Sequence, residues 1–134
     1  ARLIETNSPP AAIVISHIRR ATQGVRALAN SQPFVRELAG RMHAFAHNGD
    51  LVGVSRQLAQ RFRPVGETDS EYAFCALLER LARLWCGVDF PSLSDRLNVV
   101  TDFAREIRTL GPANFIYSDG DALFVSDSRT HIEV

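Results

Sequence analysis

Apolar positions fall into two regimes along this chain. Between residues 68 and 107 they recur at helical spacing, whereas before 51 and after 112 they come as short runs bounded by turn residues. Ala12 to Ser16 (A-I-V-I-S) is a continuous apolar run of strand length, the kind buried on both faces, and it delivers His17 to Arg20 at its end. Ser8-Pro9-Pro10 before it cannot continue a helix or a central strand. Thr22 to Asn30, with Gly24, reads as loop, and Phe34 to Leu38 as one helical turn after Pro33. His43 to Leu51 (H-A-F-A-H-N-G-D-L) then reads as a strand emptying into a polar turn at Asn48-Gly49. Leu51, Val54, Leu58 and Phe62 suggest a short helix over 54–60, broken by Pro64-Val65-Gly66.

The strongest helix follows. Thr68 and Glu71 have the spacing of a capping box, Thr68 as N-cap and Glu71 at N3. Phe74, Leu77, Leu78, Leu81 and Trp85 form its apolar stripe, Glu79 and Arg83 can pair on its outer face, and Cys86-Gly87 ends it. A second helix starts at the N-cap Ser92, with Asp95 three residues on. Its stripe is Leu93, Leu97, Val100, Phe103, Ala104 and Ile107, and Gly111-Pro112 stops it. Ala113 to Tyr117 and Ala122 to Ser126 are two strands joined by Ser118-Asp119-Gly120-Asp121, where Asp-Gly signals a hairpin. The tail after Asp127 is polar. Strands, helices and a final hairpin in this order lack the alternation of a parallel doubly wound fold. They predict an α+β domain with helices packed on a mostly antiparallel sheet.

Composition narrows the chemistry. The chain has 134 residues, 46% of them hydrophobic, enough for a single domain with a real core. Formal net charge is zero, which gives no reason to expect nucleic acid or an anionic membrane as partner. Every basic residue is Arg, so the chain itself holds no catalytic, Schiff-base or phosphate-binding Lys. Cys75 and Cys86 form no CxxC pattern and imply neither a disulfide framework nor a zinc set, which points to a cytoplasmic location. The apolar run near Ala11 to Ile15 is too short to span a bilayer.

Asn48 offers a side-chain NH2 donor, and Gly49 lets its backbone N–H approach a ligand without a Cβ in the way. Two such donors at a strand end can stabilise a developing oxyanion; the alternative is an ordinary Asn-Gly hairpin turn. His43 and His47 stand four apart on one strand face, as a metal pair would. With no HExxH and no third ligand, the expectation is packing and no metal. Cys75, inside a helix, reads as a buried small hydrophobe.

Three segments, in order, carry a resemblance: His17-Ile18-Arg19-Arg20-Ala21-Thr22-Gln23-Gly24 with Asn30-Ser31-Gln32-Pro33-Phe34, then the His43–Leu51 stretch, then Gly66-Glu67-Thr68-Asp69-Ser70-Glu71. Together they resemble the class II glutamine amidotransferases, whose nucleophile is an N-terminal cysteine, and above all the small stand-alone bacterial members. The resemblance covers most of Ile13 to Ser126. It implies a part of an αββα sandwich of the N-terminal-nucleophile hydrolases, L-glutamine as ligand and no cofactor. Arg19 matches the arginine that grips the glutamine α-carboxylate; the alternative is a structural ion pair at a strand end. Asp69 matches the carboxylate that takes the α-ammonium, although an acidic residue there also complements the helix dipole. Arg20 and Thr22 would line the same pocket. Gln23 stands where several relatives have His, and Asn48 and Gly49 match the oxyanion hole. In the family the cysteine thiol attacks the amide, ammonia leaves, and water cleaves the glutamyl thioester. This chain starts with Ala1 and has only sixteen residues before His17. The expectation is therefore an interior segment, inactive alone, completed by a missing N-terminal segment or a partner chain. The alternative is a domain without a nucleophile that binds an amino acid or a protein.

Overall fold

A computed structural model describes residues 13–18, 27–54, 61–86, 89–127 and 134. Four strands form one antiparallel sheet in sequence order: β1 (Phe34–Leu38), β2 (Arg41–Gly49), β3 (Ala113–Ser118) and β4 (Leu123–Ser126). Helices α1 (Asp69–Leu84) and α2 (Leu93–Ile107) pack against each other and against one face of that sheet. This is the expected α+β arrangement.

Alternation along the strands decides which side chains meet the helices. Phe34 faces Phe45 on β2, which faces Tyr117 on β3, which faces Phe124 on β4, and all four are buried. Phe45 lies at the centre. Its ring stacks on Phe74 of α1 at 5.3 Å and on Phe115 at 5.4 Å, with Phe103 of α2 edge-on at 6.5 Å. The opposite face carries Val35, Met42, Ala44, Ile116 and Val125, and no described helix or strand covers it.

Both helix starts follow the sequence reading. Thr68 Oγ1 accepts the Glu71 N–H at 3.2 Å, and Ser92 Oγ accepts the Asp95 N–H at 3.1 Å. The reciprocal half of the capping box is replaced. Glu71 is buried and accepts the N–H groups of Val65 and Gly66, while its other partner is the Arg36 guanidinium of β1. Glu79 likewise turns away from Arg83. It accepts the N–H groups of Arg61 and Phe62, and Arg80 pairs instead with Glu106 of α2 at 2.6 Å.

Three expectations change. Phe34–Leu38 is a strand rather than a helical turn. Its two buried apolar ends, four apart, suit either period, and the two-residue connection Ala39-Gly40, with φ of 53° and 75°, folds it back on β2. Residues 13–18 form no strand, and Ile13, Val14 and Ile18 are exposed, because no described strand supplies a ladder for them. Asn48-Gly49 is not a hairpin turn; it completes β2, opposite Asn114 and Ala113. The helix expected over 54–60 lies outside the described residues beyond Val54, as do residues 1–12, Gly87 and the tail from 128 to 133.

The β3–β4 connection is tied to α2 by buried charge. Arg96 donates to Asp119 at 2.6 Å and to Asp121 at 2.8 Å, and its guanidinium lies 4.5 Å from the Phe90 ring. Burial works against both charges. The hydrogen bonds Arg96 donates to Asp119 and Asp121 nevertheless raise the Arg96 pKa, and those that Asp119 accepts from Ala122, Arg96 and Asp121 lower its own. Nearby, His43 is fully buried. Its Nε2 donates to the Leu38 carbonyl at 3.2 Å, so Nδ1 accepts from the Tyr117 hydroxyl at 2.7 Å.

Two expected outcomes follow from these buried groups. Asp119→Ala leaves the buried Arg96 charge with only the half-exposed Asp121 as partner, and should cost up to about 3–5 kcal/mol of unfolding free energy in urea titrations. A loss below 1 kcal/mol, on the order of an exposed pair, would contradict the buried pairing. Burial also lowers the His43 pKa from its ordinary value of 6.5, more than the Asp119 charge can restore. Below pH 6.5 the unfolded chain takes up a proton that the folded one refuses. Stability should therefore be full above that pH and fall on acidification, by at most about 1.4 kcal/mol per pH unit for this group. Denaturation at pH 7.5 and 5.5 should show the drop, and His43→Gln should shrink it.

Candidate functional site

The sequence motifs meet at the end of β2 through hydrogen bonds that join separate segments. Gln32 Oε1 accepts the His47 N–H at 2.6 Å, and Asn30 Oδ1 accepts the Glu67 N–H at 3.0 Å. Asp69 Oδ2 accepts the Leu51 N–H at 2.8 Å. His47 Nδ1 lies 2.9 Å from Ser70 Oγ. The Asn30–Phe34 segment thus touches both β2 and the loop before α1, and the first turn of α1 touches the chain on either side of Asn48 and Gly49.

Packing explains the glycines at these junctions. A Cβ on Gly49 would lie 1.8 Å from the Pro112 carbonyl oxygen, and one on Gly66 would lie 2.3 Å from Asn30 Oδ1. Neither position has room for a side chain without moving backbone or a buried amide.

Asn48 is exposed and points away from the helices, beside a hollow of about 260 Å³ on the open sheet face. His17, Ser16, Asn114, Ile116 and Val125 also line this hollow. Asp69 is half-buried at the first position of α1, where its negative charge also suits the helix dipole. Its carboxylate lies beside the β2 terminus and takes no part in lining the hollow. The structure therefore brings Asp69 next to the Asn48-Gly49 strand end without turning both into the same concavity. Arg19, Arg20, Thr22 and Gln23 lie outside the described residues; His17, two positions before Arg19, is at the hollow's wall.

Electrostatics follow the same convergence. Burial lowers the His47 pKa; Asp69, the nearby Pro112 carbonyl and Asp50 pull it up and His17 pushes it further down, so three motif segments act on one ring. His43 and His47 share a face, as expected, but His43 has both ring nitrogens engaged by Leu38 and Tyr117. Among the described residues, no group of three His, Cys, Asp or Glu side chains could hold a metal ion.

The cysteines stand apart from this site. Cys75 is buried, and burial pushes its thiol up to about 11, which keeps it protonated at neutral pH. Cys86 follows the far end of α1, some 25 Å from Asp69 by helix rise. Sequence reading missed Gln32, Asn30 and Ser70 as connectors. The only signal was that all three fall inside the quoted motifs.

The family model for class-II glutamine amidotransferases matches residues 1–134. The chain is 40% identical over 120 residues to the Escherichia coli K12 protein named "Putative glutamine amidotransferase YafJ", covering 90% of this chain and 47% of that one. A crystal structure described as a predicted glutamine amidotransferase from Pseudomonas aeruginosa superposes with a TM-score of 0.66 at 42% identity, over 75% of this chain and 38% of that one. The glutamine phosphoribosylpyrophosphate amidotransferase of Bacillus subtilis shares the fold at a TM-score of 0.50 and 23% identity, over 83% of this chain and 22% of that one. This chain thus spans less than half the length of these relatives. No helix among the described residues is long and apolar enough to cross a membrane. With the motif segments bonded to one another at one strand end and the family model matching from first residue to last, this chain belongs to the class II glutamine amidotransferases.

Proposed function

We propose that this chain supplies the glutamine-binding and amide-polarising part of an enzyme that hydrolyses L-glutamine to glutamate and ammonia. The observation that carries this reading is the bond between Asp69 and the Leu51 N–H, which seats a carboxylate beside the Asn48-Gly49 strand end. Glutamine needs a cation for its carboxylate, an anion for its ammonium and donors for its amide oxygen. Arg19, with Arg20 and Thr22 beside it in sequence, supplies the first. Asp69 supplies the second, and the Asn48 side chain with the Gly49 N–H supplies the third.

Chemically, the donors act as charge builds on the amide oxygen during attack, when the carbonyl becomes tetrahedral. They bind that oxyanion more strongly than the ground-state amide, which is what accelerates the step. The attacking thiolate belongs to sequence outside these 134 residues, since Cys75 is a buried thiol and Cys86 is remote. It would form a glutamyl thioester as ammonia departs, and water would release glutamate. An N-terminal segment of the same protein is our choice for its source, and a partner chain is the alternative.

Asn48→Ala in the full-length protein should lower kcat for glutamine hydrolysis by on the order of 10²–10³. Its stability should stay within about 0.5 kcal/mol, because the side chain is exposed. Arg19→Ala and Asp69→Asn should each weaken glutamine binding about tenfold or more in calorimetry, the loss of charged hydrogen bonds. Wild-type affinity in both variants would remove the basis of this reading.

A further inference from the structure

We propose that His47 is a positioning residue: bonded to Ser70, its imidazole locks the strand end carrying Asn48 and Gly49 to the first turn of α1, which carries Asp69. The proposal rests on the glutamine reading above and adds a residue that does not itself touch substrate.

Strand alternation is the first part of the case. His47 points into the core and its neighbour Asn48 points out, so holding the ring holds the direction of the donor. The ring is held on several sides. Nδ1 meets Ser70 Oγ at 2.9 Å, the Phe45 ring stacks at 6.4 Å, and the backbone N–H is taken by Gln32. Gly49 also packs tightly there: a Cβ on it would sit 2.8 Å from His47 Nε2. Ser70 in turn reaches Asp69, its N–H donating to Oδ1 at 2.8 Å with the hydroxyl 3.4 Å from the same oxygen.

Composition of the site is the second part. His47 is 2% exposed, and its Nε2 faces the Pro112 carbonyl without a well-formed hydrogen bond. A buried nitrogen so poorly satisfied costs free energy that leucine or phenylalanine would avoid in the same volume. The Nδ1 bond to Ser70 is what the apolar residues could not provide. Its consequence is that the amide-polarising donors and the ammonium-binding carboxylate are set by one rigid link. Misplacement of such groups by an ångström is enough to slow a reaction.

The test uses the full-length protein with Ser70→Ala, His47→Phe and His47→Asn, the last keeping a polar nitrogen or oxygen near the place of Nδ1. Ser70→Ala and His47→Phe should lower kcat about tenfold while KM for glutamine moves less than about threefold, since the donors act on the transition state. His47→Asn should recover most of the loss. Amide hydrogen exchange at residues 48–51 should speed up in Ser70→Ala, with exchange in α2 unchanged. Unaltered exchange there overturns the proposal whether or not glutamine is turned over, and so does a His47→Asn variant as slow as His47→Phe. Faster exchange in a protein whose wild type neither binds nor hydrolyses glutamine would retain the lock and sink the glutamine reading.

Discussion

β2 is paired along its whole length, by β1 over its first half and by β3 over its second with both meeting at Ala44 and Phe45, and that pairing is what gives the site a fixed position. β1 holds it from Leu38 to Phe34, and β3 holds it from Ser118 to Ala113. A strand confined in this way cannot slip by one residue without turning Phe45 out of the aromatic core and Asn48 into it. The cost of burying an amide without partners and exposing a phenyl ring excludes that register. Donor direction at the strand end is therefore a consequence of how the core packs around one phenylalanine.

Four carboxylates in this chain serve as backbone anchors. Glu71 gathers the N–H groups of Val65 and Gly66, Glu79 those of Arg61 and Phe62, Asp119 those of Asp121 and Ala122, and Asp69 that of Leu51. Irregular backbone next to a core must satisfy its donors somewhere. Helix residues supply the acceptors for three of these four segments, so the loops around the site are tied to α1. Arginine suits the complementary role. Arg96 and Arg41 lie on the Phe90 ring, at 4.5 and 4.7 Å, while their donors reach carboxylate or carbonyl oxygen. A planar guanidinium can do both at once, which an ammonium cannot.

The link between His47 and Ser70 brings two kinds of evidence together. As architecture, it joins a sheet to a helix through a buried polar contact, a costly choice where apolar packing would serve. As chemistry, it ties the proposed oxyanion donors to the proposed ammonium site. Asp69 has the same double character: it stabilises the start of α1 and the loop after β2, and it is only half-buried.

By itself the sequence determined the features that depend on neighbours within a few residues. Thr68 and Ser92 cap their helices because the cap and its N–H are three positions apart, and Asp119-Gly120 turns the β3–β4 connection for the same local reason. The α+β class was legible too, and Asn48, Gly49 and Asp69 stood out as candidates, the last through resemblance. Tertiary structure decided what depends on distant partners. Phe34–Leu38 satisfies two periods at once, and only pairing with β2 makes it a strand. Asn48-Gly49 has turn composition, yet Asn114 and Ala113 of β3, distant in sequence, keep it in the ladder. The sequence contained Glu71, Ser70 and Gln32, but their hydrogen-bond partners were chosen by the packing of α1 on the sheet, because a buried donor pairs with whatever acceptor the fold brings within 3 Å or so of it.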